Sequence, residues 1–154
     1  MKDYKETQYF WLIFVLNLPL QLWLTYLFVY DIGNNPMGIK SFVIGQVVLT
    51  SIYFLFYGMT TTITSEKIII AFGIGIISIR IPLRRIKTVT SVKSPWYYGW
   101  GIRIIPRGML YNTSGTLGVE LQFNDSNRVT RIGTKDPQHL KREIESRLSK
   151  DAHT

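Results

Sequence analysis

Histidines, cysteines and paired carboxylates are where a catalytic or metal site would show itself, and this chain has few of them. It has no cysteine and two histidines, His139 and His153. The lack of cysteine excludes thiolate nucleophiles, Cys-ligated zinc and a disulfide framework. Neither histidine has a metal-ligand partner at a recognisable spacing, and both read as surface residues. Gly73-Ile-Gly75 and Gly99-Trp-Gly101 read as turns, because no Gly-Lys-Ser/Thr follows either and neither opens a helix. With no catalytic constellation, the chain is expected not to be an enzyme and to need no cofactor or metal.

Aromatic and cationic residues do gather. Trp96, Tyr97, Tyr98 and Trp100 stand close together, with Arg103 and Arg107 following. That mixture suits a membrane interface or a protein-recognition surface. Arg84, Arg85 and Lys87 form a second, basic group. Close to an anionic leaflet, each Lys or Arg gains about 1 kcal/mol. These nine residues are the expected binding surface. A net charge of +8 raises nucleic-acid binding as another reading. No nucleic-acid motif accompanies it, and no such partner is expected.

The elements that must position these residues divide the 154-residue chain unevenly. With 46% apolar and 18% charged residues it is not a disordered sequence. Residues 1–59 balance three basic against three acidic residues, so the whole positive excess lies in the remainder. Two uncharged runs, 9–30 and 41–59, reach roughly 33 and 28 Å as helices, against a bilayer core of about 30 Å. Tyrosines and tryptophans lie toward their ends, as in interfacial belts. The first run is too long for a signal peptide, and bulky Phe28, Val29 and Tyr30 replace a small-residue cleavage site. Asn17, Gln21 and Gln46 are expected to hydrogen-bond between the helices, and Pro19 to kink the first one gently. Lys2 and Lys5 precede the first run, Lys40 alone lies in the link, and 15 basic residues follow. By the positive-inside rule, residues 1–59 are a transmembrane hairpin with both termini in the cytoplasm, in an inner or plasma membrane.

The remainder reads as strands. Ile77, Ile79, Ile81 and Leu83 alternate with polar neighbours, as do Leu117, Val119, Leu121 and Phe123. Thr60–Thr64, Lys67–Phe72, Ile86–Val92 and Arg128–Thr134 are strand-like too, and Asn124–Asn127 is a turn. Asp136 and Pro137 then open an amphipathic helix with Leu140, Ile144 and Leu148 on one stripe. The expectation is a β-domain over 60–150, a bent barrel or sandwich of about seven antiparallel strands capped by a C-terminal helix, with 151–154 as a tail.

Several short runs together resemble bacterial pleckstrin-homology-like domains: Gly99-Trp-Gly-Ile-Arg103, Arg107-Gly-Met-Leu-Tyr-Asn112, Ser114-Gly115, and Arg131-Ile-Gly-Thr134 before Asp136-Pro137. In many relatives that domain follows two transmembrane helices. The resemblance implies a non-catalytic module that binds, scaffolds or oligomerises. Its partner would be another protein or a second copy of the chain; an anionic lipid headgroup is the alternative. Phosphoinositide-binding relatives use a basic first hairpin loop, but here Ser65-Glu66-Lys67 sets one Lys against one Glu.

Overall fold

The computed structural model describes residues 3–33, 36–113 and 115–151. Lys2, the Asn34-Asn35 part of the link, Ser114 of the signature, and residues 152–154 with His153 lie outside them. In chain order the elements are β1 (Tyr4–Tyr9), α1 (Trp11–Val29), α2 (Ile39–Phe56), β2 (Gly58–Ile63), β3 (Lys67–Phe72) and β4 (Ile77–Pro82). Then come β5 (Ile86–Lys93), β6 (Gly101–Ile105), β7 (Gly108–Asn112), β8 (Leu117–Phe123), β9 (Val129–Gly133) and α3 (Pro137–Asp151).

Both long helices are apolar around their whole circumference. Asn17 is the one buried residue of α1, and α2 has none. A helix apolar on every side and uncovered by protein has the composition of a membrane span. Their 19 and 18 residues make two helices long and apolar enough to cross a membrane. The polar interruptions form a seam inside the hairpin. Asn17 Nδ2 donates to Leu49 O at 2.9 Å, Gln21 Nε2 to Asn17 Oδ1 at 2.7 Å, and Gln46 Nε2 to Thr25 Oγ1 at 2.9 Å.

The expected spans are shorter where they join the β-domain, and α2 begins earlier than expected, at Ile39, so that Lys40 of the expected link lies in its first turn. Tyr9 belongs to β1, and Met59 is a buried residue of β2. Hydropathy cannot tell an apolar residue at a span's end from one in a buried strand.

A larger correction concerns residues before the first span, which were expected to lie outside the β-domain. β1 pairs antiparallel with β2 from Tyr4↔Ile63 to Tyr9↔Gly58. The helical hairpin is therefore inserted between two neighbouring strands of one sheet. Polar side chains hold β1 in place. Glu6 accepts from Thr134 Oγ1 at 2.7 Å and from Lys135 N at 3.1 Å. Gln8, 1% exposed, donates through Nε2 to Gly133 O at 2.8 Å.

The strands form a four-stranded sheet, β1-β2-β3-β4, and a five-stranded sheet, β5-β8-β9-β7-β6. The expected set of about seven antiparallel strands is thus nine, and β7–β9 is a parallel pair. Relative to the six strands located by residue from the sequence, the three others are β1 and the two strands of the β6–β7 hairpin. Gly108 permits the parallel pairing, because a Cβ there would collide with the Val129 carbonyl. The core lies between the sheets, with Ile68, Phe72, Val119, Leu121 and Ile132 at its centre and Leu140 and Ile144 of α3 closing it. As expected, Asp136 caps α3, its Oδ1 accepting from His139 N at 3.0 Å.

Two predictions follow from β1. Gln8→Ala strips a buried carbonyl of its donor and should lower stability by about 1–3 kcal/mol in thermal melts of the detergent-solubilised chain. Lys5→Ala on the exposed face should stay within about 0.5 kcal/mol. Tyr4 gives a pH dependence. Burial first, and the Glu6 carboxylate second, hold its phenol above the ordinary value of 10.0. The fold therefore favours the neutral phenol, a contribution present below pH 10.0 and lost as pH rises beyond it. Melts at increasing alkalinity should decline more steeply in the native chain than in Tyr4→Phe.

Candidate functional site

The β-domain has two chemically different ends. One adjoins the helices. Phe10 N donates to Tyr57 O at 2.8 Å, tying the entry to α1 to the exit from α2. The β3–β4 turn is wedged beside them, with Gly73 N on Gly58 O at 2.8 Å and Ile74 N on Phe54 O at 3.2 Å. Gly73 has φ +52°, and a Cβ there would strike the Phe54 and Leu55 backbone. The turn holds Ile74 and Ile76 in solvent, Ile76 at 71% exposure.

The aromatic loop shares this end. Trp100 meets Phe10 at a ring separation of 6.4 Å. Trp96 is 82% exposed, and Tyr97 is also largely free. Tyr98 differs: it packs on Ile105, Leu110 and Val129, with the Arg131 guanidinium 6.0 Å from its ring centroid. Arg131 is itself paired with Glu120 at 2.8 Å. Arg103 Nε donates to Trp100 O at 3.0 Å. Tyr98 and Arg103 therefore hold the loop in shape, and Trp96 and Tyr97 are its free surface. Of the other signature residues, Tyr111 is core, where burial raises its phenol pKa, and Asn112 Nδ2 donates to Gly115 O at 2.9 Å. Gly99, Gly101 and Gly115 take the positive φ expected of turn glycines.

Arg84, Arg85, Lys87 and Arg107 lie elsewhere. Arg84, Arg85 and Lys87 were expected near headgroups because they follow the second span closely in sequence, and Arg107 was expected with the aromatic loop. β5 carries the chain from Ile86 to Lys93, and Val92 pairs with Gly118, which pairs with Gly133 beside Gln8. Lys93 thus marks the helix end and Arg85 the far end, about 23 Å apart along a strand of 8 residues.

At that far end the β6–β7 and β8–β9 turns flank an open groove of about 1190 Å³. Its floor includes Ile105, Met109, Phe123 and Val129, and Arg85, Arg107 and Arg128 stand around it. Lys87 lines an adjoining cleft with Arg107 and Arg128. Arg85 pairs with Asp125 at 2.8 Å across an exposed contact and lies 5.8 Å from the Phe123 ring centroid. Arg84 stands apart, lining a smaller cavity with Glu66, Lys67 and Pro82.

The expected site therefore splits into an aromatic surface beside the helices and a basic one away from them. Arg128 and Ile104, both at the groove, were missed. Arg128 is far in sequence from its neighbours, and only the β7–β9 and β8–β9 pairings bring it to them. His139 lies on the surface of α3, 3.8 Å from Glu143. Among the described residues no cluster of three or more His, Cys, Asp or Glu is placed to hold a metal ion. The chain matches no protein-family model, no curated protein and no solved structure.

The two kinds of aromatic should separate in mutational stability. Trp96→Ala and Tyr97→Ala should leave the melting transition within about 0.5 kcal/mol of the native chain. Tyr98→Ala, which empties the small cluster over the five-stranded sheet, should cost about 1–3 kcal/mol.

Proposed function

We propose that this chain is a membrane-anchored, non-enzymatic binding and scaffolding module. Two spans hold a pleckstrin-homology-like β-domain at the cytoplasmic face of an inner or plasma membrane, with both termini inside. The observation that carries this reading is the β1–β2 pairing on either side of two uncovered apolar helices. An anchor joined by one linker would let its domain tumble. An anchor that leaves and re-enters one sheet through adjacent strands fixes the domain's height and orientation. The glycine–tryptophan signature, which runs through the β6–β7 hairpin, and the helix over the core support the family likeness, and β1 is an addition to the expected plan.

In this reading Trp96, Tyr97, Ile74 and Ile76 rest in the lipid interface beside Tyr9 and Trp11. Tryptophan and tyrosine favour that zone because one side of the ring system is apolar and the other polar. The aromatic loop then serves the anchoring bilayer, and the opposite end of the domain is left to meet a protein partner or a second copy. Headgroup recognition by Arg84, Arg85 and Lys87 in the same bilayer is the weaker reading. The strand length separating them from the helix end exceeds a physiological Debye length of about 8 Å.

The absence of native cysteine makes the topology directly testable. Lys5→Cys and Ser126→Cys should react with a membrane-impermeant maleimide only after permeabilisation, and Asp31→Cys should react in intact cells. The chain should stay in the pellet on alkaline carbonate extraction. Release by carbonate would overturn the anchor, and the inverse labelling pattern would overturn the orientation.

A further inference from the structure

We propose that the groove at the end of the β-domain away from the helices is a docking site for an acidic peptide segment that also carries apolar side chains. The inference rests on the reading of the chain as an anchored binding module and names its partner's chemistry. Three observations carry it. The first is charge. Arg107, Arg128 and Lys87 converge from β6–β7, β8–β9 and β5, and none has a carboxylate within ion-pairing distance among the described residues. Among the described residues that line the groove and its adjoining cleft none is acidic, and Asp125, next to Ser126 of that lining, is already held by Arg85. Folding has thus gathered like charges that gain nothing from one another, which costs stability unless an anion meets them.

The second observation is the floor. Met109, Phe123 and Val129 give the basic rim an apolar base, and Ile104 stands beside it at 87% exposure, the most exposed large apolar residue among those described. An isolated phosphate would use the cations and leave this surface wet. A chain with alternating carboxylates and aliphatic groups uses both. The third is position. All three groups lie at the far end from the helices, where a segment of a soluble partner arrives unobstructed. A single-stranded nucleic acid would want open aromatic faces for its bases. Trp96, Tyr97 and Trp100 are at the opposite end, and Arg85 lies over Phe123.

The test uses the full chain in neutral-lipid nanodiscs, with fluorescence anisotropy of three short labelled peptides: alternating Glu and Leu, alternating Glu and Ser, and alternating Lys and Leu. The Glu/Leu peptide should bind best, and binding should weaken as salt rises. Arg107→Glu with Arg128→Glu should weaken it by at least about tenfold, as expected for losing two charge-assisted contacts. Ile104→Ser should weaken Glu/Leu binding and leave Glu/Ser binding as it is. Trp96→Ala should change nothing, and melts should show that the exposed-site variants remain folded. Equal binding of Glu/Leu and Glu/Ser would overturn the peptide in favour of a general anion site. So would equally effective displacement by a single-stranded oligonucleotide. Undiminished binding by the Arg107→Glu, Arg128→Glu chain, or no binding of the Glu/Leu peptide at all, would overturn the groove. A chain that keeps its carbonate resistance and labelling pattern while binding no peptide would refute this inference alone and leave the anchor standing.

Discussion

The pairing of β1 with β2 is the constraint on which the rest of the molecule depends. Adjacent antiparallel strands lie about 5 Å apart, and packed helices 8–10 Å apart. A chain that leaves a sheet along one strand and returns along its neighbour must therefore send out two helices that touch almost at once. The Phe10–Tyr57 backbone bond is that point of divergence. Beyond it no hydrophobic force would drive the helices together in lipid, so their association has to come from close packing and polar contacts. Gly45 beneath Leu24 provides the first, and the Asn17, Gln21, Thr25 and Gln46 seam the second. The polar residues that interrupt the spans are best understood as structural adhesive between two helices.

The same constraint gives the β-domain its polarity. Once β1 runs into α1, every element registered to it inherits a near end and a far end. The near end collects Ile74, Ile76, Trp96 and Tyr97, side chains costly to leave in water. The far end collects Arg85, Arg107 and Arg128, side chains costly to bring into lipid. Neither group is contiguous in sequence. Their separation arises from strand register, and it matches what a bilayer on one side and water on the other would demand of the same fold.

How much of this was legible in the sequence depended on whether a signal was local. The spans, the Asp136 cap, the Leu140 and Ile144 stripe and the alternation of β8 are local periodicities, and they were legible. β1 was not, because its six residues carry Lys5, Glu6, Thr7 and Gln8 immediately before a strongly apolar run. Its strand character comes from its partner on the far side of the hairpin, and no window on the sequence contains both. The β6–β7 hairpin was obscured by glycines that read as a loop, although Gly108 is a glycine in order to let a strand pair. Trp96, Tyr97, Tyr98 and Trp100 are a group in the sequence itself, but the division into Tyr98 as packing and Trp96 as surface is set by the strands around them. Arg84, Arg85 and Lys87 follow the second span closely along the chain, yet the strand order carries them to the end of the β-domain away from the helices, because proximity along the chain is not proximity in space.

That last distinction bears on what a family likeness can say about a ligand. The resemblance rests largely on turn glycines, on Tyr111 in the core and on the capped α3, which act on shape. The groove, by contrast, is built largely by the turn of the β6–β7 hairpin. Val129 N on Arg107 O, at 2.8 Å, joins that hairpin to β9. Without the hairpin, Ile104, Ile105, Arg107 and Met109 would be gone, and Arg85 and Arg128 would stand on an open surface with only Phe123 and Val129 between them. The chemistry of the groove thus comes from Ile104, Arg107 and Met109 of that hairpin meeting Arg85, Phe123 and Arg128 from elsewhere in the sheet. A ligand inferred from the resemblance alone would be matched to the scaffold and not to the site, so the partner has to be read from this chain's own charges and apolar surface.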